Sequence, residues 1–498
     1  MVNSLSNAVE LSGFGENELM EATGEELTTV RGWLCGDLPI PVGLKRAIAT
    51  FRSFDVTSSR PGLEAMNEAL PTPTEKLATE LRAPEHCVGG LKSSRRYKGA
   101  RGGMATAQSS LFKELGIENE EFLKKQLITY IGNKRSLLPF IDTGIRYAKE
   151  KIGKEQIDFL DLFSGSGVVA RMARQHSRVL HCNDLELYSE LVNSCYQTNS
   201  CEVDKKALVE ELERVRREVQ DTFEQGFIAE LYAPQNDHDI KRGERVFYTR
   251  RNAMFLDTFC RVIASTPIKL RPFVLAPVLS QASMYANTSG VFKGFYKNKE
   301  GIGQFGGTFK NALTRIKRDI EVQAPVFSSF ECDSHIHRTD ANSLVKELDP
   351  VDIAYFDPPY NQHPYGSNYF MLNLLCDYQR PEEVSSVSGI PTGWNRSLYN
   401  KAQHAESALF DAVENVKAKF VLISYNSEGF VAHDRFLSEL VTLGEVSVMD
   451  TKYNTFRGCR NLSGRDIHVT ENLYLALQLH SRFDVSFACG GLVGTSPA

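Results

Sequence analysis

The sequence predicts an α/β fold of the doubly wound class, in which helices cover both faces of a mostly parallel sheet. Two apolar runs of strand length, 157–160 and 351–356, each end at a cluster of residues suited to ligand binding. The first run is followed by a glycine-rich turn and then by helix-compatible sequence at 168–173. Ligands of doubly wound sheets bind beyond the carboxyl ends of the strands. The two strand ends therefore predict one shared site.

The glycine-rich turn runs from Asp161 to Gly167 and reads DLFSGSG. Glycine permits a tight turn and lets a ligand approach backbone N–H groups at a helix N-terminus. A further apolar run ends in Asp184, nineteen residues after Gly165, where a carboxylate suits a ribose diol. Ala170 stands at the third position of the glycine fingerprint, which the looser form of that fingerprint allows. This motif alone therefore leaves a nicotinamide cofactor open.

The second strand end carries Asp357-Pro358-Pro359-Tyr360. An exocyclic amine of a nucleobase is a weak nucleophile because its lone pair is delocalised into the ring. The Asp357 carboxylate and the Pro358 carbonyl can each accept an amine hydrogen, and such bonds strengthen as positive charge develops on nitrogen. Tyr360 offers a flat face on which a flipped base can stack. The motif predicts a base-methylating site; the alternative is a proline turn that only closes a strand.

Three segments together resemble the Dam-like, alpha-group DNA methyltransferases, which methylate adenine N6 with S-adenosylmethionine. Segment 129–138 (TYIGNKRSLL) is similar to that family's first motif, 163–167 to its glycine loop and 357–360 to its catalytic motif. About 190 residues separate the last two motifs, which leaves room for a target-recognition region. The resemblance spans roughly residues 120–480 and implies a Rossmann-like methyltransferase sheet with S-adenosylmethionine as cofactor.

The resemblance also implies roles for individual residues. Lys134 would lie beside the carboxylate of the cofactor, Asp184 would bind its ribose and Asp340 its adenine. A helix start for Lys134 and an N-cap for Asp340 are the structural alternatives. The implied catalytic residues are Asp357, Pro358, Pro359 and Tyr360. The implied cofactor-binding residues are Tyr130, Gly132, Lys134, Asp161, Phe163, Gly165, Gly167, Asp184 and Asp340.

The distribution of charge predicts a surface for double-stranded DNA. The chain has a formal net charge of −5, yet residues 241–318 hold 15 Lys or Arg against three Asp or Glu. Aromatic residues are interleaved with this positive charge, as expected where phosphates and bases are both contacted. We expect a target-recognition insertion at about 200–335; an ordinary basic face is the alternative. The candidate DNA contacts are Arg245, Arg250, Arg251, Lys293, Lys297 and, after the strand-like run 420–423, Tyr425.

Two further segments carry structural expectations. Residues 361–370 are polar and aromatic around a proline and a glycine, which predicts a loop over the site. Residues 202–223 are rich in charge at helical spacing, which predicts a solvated surface helix.

The N-terminal 55 residues predict a small all-α domain. Residues 18–36 favour two short helices about a glycine turn and resemble a repressor-type helix-turn-helix. Gly32 weakens the second helix, and Arg31 is its one basic residue, so a protein-contact or dimerisation domain is the alternative. The expected division of the chain is a helix-turn-helix-like domain at 1–55, a flexible linker at 56–118, a methyltransferase domain at 119–480 and a tail at 481–498.

Composition excludes several other classes. A chain of 498 residues that is 42% hydrophobic fits two or three globular domains. The sequence lacks a membrane-length apolar run and a signal peptide, which predicts a cytoplasmic protein with no membrane partner. Ten scattered cysteines without a C-x-x-C pair argue against structural zinc, and the expected reaction needs no metal.

Together these observations predict an enzyme that flips adenine out of duplex DNA and methylates N6 at a specific site. It would act alone or in a restriction-modification system, with a cognate endonuclease as a candidate partner. Cytosine-N4 methylation is the nearer alternative, although cytosine enzymes of the resembled class more often carry Ser in place of Asp357. A DNA-binding regulator with a vestigial catalytic fold is the more distant alternative, as is an RNA or protein amine substrate.

Overall fold

The computed structural model describes residues 118–221, 223–307, 310–454 and 468–478. The predicted helix-turn-helix, the linker as far as residue 117 and the predicted tail lie outside these residues. None of the helices in the described ranges is both long enough and apolar enough to cross a membrane.

A seven-stranded sheet forms the centre of the described chain. Its strands are β1 (Ile157–Asp161), β2 (Ser177–Asn183), β3 (Asp333–His337), β4 (Val351–Phe356), β5 (Ala418–Asn426), β6 (Gly444–Asn454) and β7 (His468–Gln478). The spatial order is β3-β2-β1-β4-β5-β7-β6. The first five strands are mutually parallel, whereas β7 runs antiparallel to both β5 and β6. The α/β doubly wound prediction is confirmed.

Fourteen α-helices accompany the sheet within the described residues. They are α1 (Glu120–Lys124), α2 (Leu138–Ile152), α3 (Val168–Ala173), α4 (Leu187–Tyr196), α5 (Lys205–Asp221), α6 (Phe227–Tyr232), α7 (Arg250–Val262), α8 (Arg271–Met284), α9 (Leu313–Ile316), α10 (Ala341–Glu347), α11 (Tyr365–Asn368), α12 (Phe370–Asp377), α13 (Ala402–Asn415) and α14 (His433–Leu440). Short 3₁₀ helices occupy Lys134–Leu137, Arg174–His176, Ile263–Ser265 and Leu398–Asn400.

The central strand β4 shows why the apolar runs become strands. All six of its residues are buried, as expected of a parallel strand covered on both faces. Ala354 and Phe356 face a core that includes α10 and α13, whereas Ile353 and Tyr355 face a core that includes α2 and α3. The alternation follows the period of two in an extended chain. The predicted helices at 168–173 and within 202–223 are present as α3 and α5.

The order of the strands reverses between β1 and β4. From β1 the chain moves outward to β2 and β3 and then returns to β4 on the other side. Such a reversal opens a crevice between the two carboxyl ends, which is where ligands of this class of sheet bind. The fold therefore brings the glycine turn and the Asp357 motif to the same crevice.

A helical insertion, α5 to α9, lies between β2 and β3. Its helices α5 to α8 share an apolar core with α4 and α12. The strand β3 begins at Asp333, close to the end of the expected insertion at about 200–335. The expected loop at 361–370 is also partly wrong. Residues Tyr365–Asn368 form α11 and α12 begins at Phe370, because aromatic side chains there pack against the body of the domain.

Candidate active site

A cleft with an empty volume of about 900 Å³ lies at the carboxyl ends of β1 and β4. The structure brings together in its lining every predicted cofactor residue except Gly167, together with Asp357 and Pro359; the shared members are Tyr130, Gly132, Lys134, Asp161, Phe163, Gly165, Asp184 and Asp340. The two motifs thus form one site, as their positions after β1 and β4 predicted.

The glycine turn is fixed by the conformation of its glycines and by a hydrogen bond to Asp184. Gly165 and Gly167 have φ of +51° and +73°, in the left-handed region that favours glycine. The Gly165 N–H donates to Asp184 Oδ2 at 2.9 Å, and the Glu186 N–H donates to Asp184 Oδ1 at 2.9 Å. Burial raises the pKa of Asp184 to about 6. Asp184 therefore fixes the backbone of the loop, a role that the sequence had not indicated.

Three stacked tyrosines fasten the first motif to the segment after the catalytic motif. The Tyr130 ring lies 4.8 Å from that of Tyr365 and 4.7 Å from that of Tyr369, nearly parallel to both. The Ile131 N–H donates to the Tyr369 hydroxyl at 2.6 Å, and the Tyr365 hydroxyl donates to the Ile131 carbonyl at 3.1 Å. The Tyr130 hydroxyl lies 3.0 Å from that of Tyr188. These contacts explain why residues 365–368 are helical.

Lys134 makes contacts that the sequence did not predict. Its side chain is 2% exposed, and its ammonium lies 2.9 Å from Asp357 Oδ1 and 2.8 Å from Glu471 Oε1. The ammonium thus lies between two protein carboxylates, while Lys134 also lines the cleft. Its role beside a cofactor carboxylate stays a prediction. Lys134 does begin a 3₁₀ helix, capped by Asn133, but the helix start is buried and not solvated.

Asp357 lies close to both a buried cation and a second carboxylate. Burial raises the pKa of its carboxyl to about 6, the nearby Lys134 ammonium opposes that rise and Glu471 adds to it. Its side chain remains 18% exposed. Tyr360 lies next to it with the Lys134 ammonium 5.7 Å from the centre of its ring. Gly132 passes so close that a Cβ there would lie 3.2 Å from the Tyr360 hydroxyl oxygen.

Asp161 and Asp340, two acidic residues predicted to bind the cofactor, differ in their hydrogen bonds. Asp161 is buried, and neither carboxylate oxygen accepts a well-formed hydrogen bond from the described residues. Burial raises its pKa well above the usual range, and the backbone amides of Ala170 and Phe163 oppose this in part. Asp340, by contrast, caps α10 by accepting from the Ser343 N–H at 3.1 Å. Asp340 is therefore an N-cap that also lines the cleft, and its binding of the cofactor adenine stays a prediction.

Several cleft residues were missed by sequence reasoning. Glu186 is buried and accepts hydrogen bonds from Asn373 at 2.6 Å and Asn395 at 3.3 Å, and burial raises its pKa to about 7. Its position two residues after Asp184 was an available signal. Asn395, Ser397, Tyr399 and Asn400 also line the cleft, and no motif marks them. Glu471 reaches the site from β7 and is likewise unmarked.

The candidate DNA contacts do not form one exposed set. Lys293 is partly buried, and Lys297 is exposed with its ammonium 5.0 Å from the centre of the Phe295 ring. Arg245 and Arg250 instead donate to the backbone carbonyls of Leu231 and Ala229. Arg250 thus fastens the insertion to itself, whereas Arg245 also donates to the Ser385 and Ser386 carbonyls outside it. Both satisfy carbonyls that need donors.

Arg251 and Tyr425 complete this set. Arg251 pairs with Asp319 at 3.0 Å, yet it remains half exposed. Tyr425 is 3% exposed and its ring centre lies 6.0 Å from that of Tyr360. This burial argues against the predicted direct contact with DNA and is compatible with a place in the wall behind Tyr360. The described residues contain no group of three His, Cys, Asp or Glu side chains arranged to hold a metal ion.

Comparison with known families agrees with this geometry. The model of the D12 class N6 adenine-specific DNA methyltransferases matches residues 130–431. The chain belongs to this family. The matched range contains the glycine loop, the helical insertion and the Asp357 motif. The chain is therefore an enzyme that methylates adenine in DNA, and this finding stands against cytosine-N4 methylation and a vestigial catalytic fold.

Similar proteins extend over most of the described residues. The methyltransferase is 28% identical over 352 residues to the Type II methyltransferase M.CviAII of Paramecium bursaria Chlorella virus 1, covering 68% of this chain and 96% of that relative. It is 26% identical over 342 residues to the Type II methyltransferase M.NlaIII of Neisseria lactamica, covering 66% and 92%. The match to the Type II methyltransferase M.FokI of Planomicrobium okeanokoites is 27% identical over 326 residues and covers 47% of that relative.

Proposed function

We propose that this methyltransferase uses S-adenosylmethionine to methylate adenine N6 at one short sequence in double-stranded DNA, in the manner of the Dam-like alpha group. The observation that carries the proposal is the single cleft into which β1 delivers the glycine loop and β4 delivers Asp357. One pocket can thereby hold a methyl donor beside a group that polarises an amine.

The residues present fit such a cofactor. Asp161 supplies a buried carboxylate without a well-formed hydrogen bond from the described residues, which suits a donor such as an amino group. The glycine loop offers backbone close to the cleft, Glu186 and Asp184 supply acceptors for hydroxyl groups, and Tyr130 and Phe163 supply apolar walls. When bound, S-adenosylmethionine supplies a methyl group on a positively charged sulfur.

The loop gives a direct test of this assignment. Gly167→Ala is expected to weaken binding of S-adenosylmethionine by about tenfold or more, because the new Cβ would lie 2.3 Å from Asn193 Oδ1 in a strained backbone conformation. Isothermal titration measures the affinity. Gly153→Ala is the matched control, since Gly153 has a similar φ of +72° but nothing within 4 Å of a Cβ. Equal affinity in both variants would show that the loop does not shape the cofactor site.

The catalytic motif has a defined task in this reaction. Asp357 and the Pro358 carbonyl accept the two hydrogens of the amine and localise its lone pair on nitrogen. Tyr360, backed by Tyr425, stacks on the flipped base. The N6 lone pair forms the new bond to carbon while sulfur retains the electrons of the bond that breaks. N6 then releases one proton to solvent.

The pKa of Asp357 predicts how activity depends on pH. A raised pKa means that the folded protein keeps this carboxyl protonated to a higher pH than a free aspartate does. The acceptor form is lost as pH falls through about 6, so kcat/KM should fall by about half there and tenfold for each further unit of pH. A kinetic profile from about pH 5 to about pH 8 measures this. An activity constant across that range would contradict an ionised Asp357.

The recognition of DNA is assigned to the helical insertion between β2 and β3. Its sequence carries the excess of Lys and Arg, and the exposed cations Arg251 and Lys297 are the candidates for phosphate contacts. Several similar proteins are named Type II methyltransferases or modification methylases. We therefore propose that this methyltransferase protects a site from a cognate restriction endonuclease.

The N-terminal residues 1–55 are proposed to be a separate DNA-binding module of the helix-turn-helix type. A transcriptional reporter driven by the promoter of this methyltransferase's own gene tests whether the module regulates it. Expression that is unchanged when residues 1–55 are deleted would leave protein contact or dimerisation as the role.

Modification-sensitive long-read sequencing tests the reaction itself. DNA from cells that express the full chain should carry N6-methyladenine within one short motif, and DNA from cells with the empty vector should not. Methylated cytosine, or adenine methylated without regard to sequence, would overturn the proposal. An endonuclease that cuts only the unmethylated motif, encoded beside the gene, would establish the restriction partner.

A further inference from the structure

Glu471 is a buried acid that the reaction described above does not use. It lies on β7, its side chain is 0% exposed, and its Oε1 atom lies 2.8 Å from the Lys134 ammonium. The Ser424 hydroxyl donates to the same oxygen at 2.6 Å. Its Oε2 atom has no hydrogen-bond partner among the described residues. Glu471 is therefore connected to Asp357 through a shared lysine.

The pairing leaves an excess of negative charge beside the amine-binding position. Two carboxylates, Asp357 and Glu471, share one ammonium, so the ionised cluster carries a net charge of −1. A buried ion pair is easier to form when its charges balance, because an unbalanced buried charge costs free energy. A site that only had to hold Lys134 against Asp357 would not need a second carboxylate.

The net negative charge of this cluster can assist the movement of positive charge during the reaction. At the start the positive charge is on sulfur; as the bond to carbon forms, it moves onto N6, and it leaves when N6 releases its proton to solvent. A fixed negative charge behind the amine favours this movement because it stabilises the positive charge that develops on nitrogen.

We propose that Glu471 is a positioning residue that orients Lys134 toward Asp357 and supplies the net negative charge that draws the developing positive charge onto the target amine. The inference rests on the proposed function. Glu471 acts through Lys134 and Asp357 and does not itself touch the base.

Glu471→Gln removes the charge and keeps an oxygen that can accept from Ser424 and Lys134. We expect kcat to fall about 10- to 100-fold, as for a unit charge lost a few ångströms from the reaction. The KM for S-adenosylmethionine and its affinity by titration should stay within about twofold, since the charge acts in the transition state. Glu471→Asp, which keeps the charge, should recover part of the kcat. Glu445→Gln removes an exposed glutamate of β6 and is the matched control.

A second readout separates an electrostatic role from a structural one. Because Glu471 raises the pKa of Asp357, its removal should shift the acidic limb of the pH profile to lower pH. The other titratable groups around the cluster are Asp161, Tyr355, Tyr360, Tyr365 and Tyr453, and burial raises the pKa of each. None of these residues is changed in Glu471→Gln. A shift of the acidic limb of the pH profile would therefore be caused by the loss of the Glu471 charge.

The outcomes are distinguishable from failure of the proposed function. An unchanged kcat, or a lowered kcat with an unmoved pH profile, would overturn the inference. If the intact chain proves inactive on adenine, the melting temperature between about pH 4 and pH 7 decides instead. Ionisation of Asp357 destabilises the fold as pH rises over this range, so the melting temperature should fall less in Glu471→Gln than in the unmodified chain. An equal fall in melting temperature in both proteins would overturn the inference.

Discussion

Asp357→Ala is expected to lower kcat about 100- to 1000-fold, the loss typical when a group that stabilises transition-state charge is removed. Alanine cannot accept the amine hydrogen, and it also leaves the Lys134 ammonium with Glu471 alone. The cluster would then be neutral and would no longer attract the positive charge that develops on N6 as it is methylated. The rate of methyl transfer to a duplex that contains the recognised motif measures the effect in a single turnover.

Asp357→Asn is the matched control for this prediction. Asparagine keeps the size of the side chain and one accepting oxygen but not the charge, so its activity should lie between those of the alanine variant and the unmodified chain. Affinity for S-adenosylmethionine should change little in either variant, because the glycine loop and Asp161 are intact. An alanine variant that methylates at more than about a tenth of the original rate would exclude Asp357 as the polarising group.

Lys134→Met is expected to destabilise the fold by about 3–5 kcal/mol at neutral pH, the cost of leaving buried charges without their partner. Methionine fills a similar volume, but Asp357 and Glu471 then repel each other in a buried site. Urea denaturation of the variant and the unmodified chain measures the difference in free energy of unfolding. Methylation should be lost as well, because Asp357 becomes protonated more readily.

The loss of stability in Lys134→Met should depend on pH. Without Lys134 the pKa of Asp357 rises further, so the folded variant binds protons more tightly than the unfolded chain. Its deficit in stability should therefore shrink as pH is lowered through the range in which Asp357 becomes neutral. Glu471→Gln combined with Lys134→Met should recover part of the loss at neutral pH.

A surface lysine gives the matched control for Lys134. Lys154 lies 2.8 Å from Asp352 Oδ1, but its side chain is 42% exposed and Lys419 also pairs with that aspartate. Lys154→Met should therefore cost less than about 1 kcal/mol, as for most exposed ion pairs. Similar losses in the two variants would mean that the Lys134 pairing is no more important than a surface contact.

The sequence predicted the elements whose determinants are local. β1 and β4 were recognisable because a central parallel strand is apolar along its whole length, and the glycine loop because left-handed backbone selects glycine. Asp161 and Asp357 were placed in one site because the carboxyl ends of parallel strands meet at one edge of the sheet.

The contacts that the sequence did not predict join distant parts of the chain. Lys134 was expected beside a cofactor, and nothing near it in the sequence indicates its pairing with Glu471. Arg245 and Arg250 were expected on the DNA surface, since composition does not distinguish a cation that faces solvent from one that satisfies buried carbonyls. Tyr425 was placed at the right end of β5, but its burial depends on packing against Phe436 and Tyr360.

The position of β7 between β5 and β6 constrains how the chain can assemble during synthesis. Within the described sheet, β6 pairs with β7 alone, so it has no neighbouring strand when it first leaves the ribosome. The hairpin of β6 and β7 can join β5 only after residue 478 has been made. The pairing of Lys134 and Asp357 with Glu471 therefore forms only once β7 has joined the sheet. A nascent chain that ends before β7 should hold both sides of the cleft yet lack the charge arrangement of the finished enzyme.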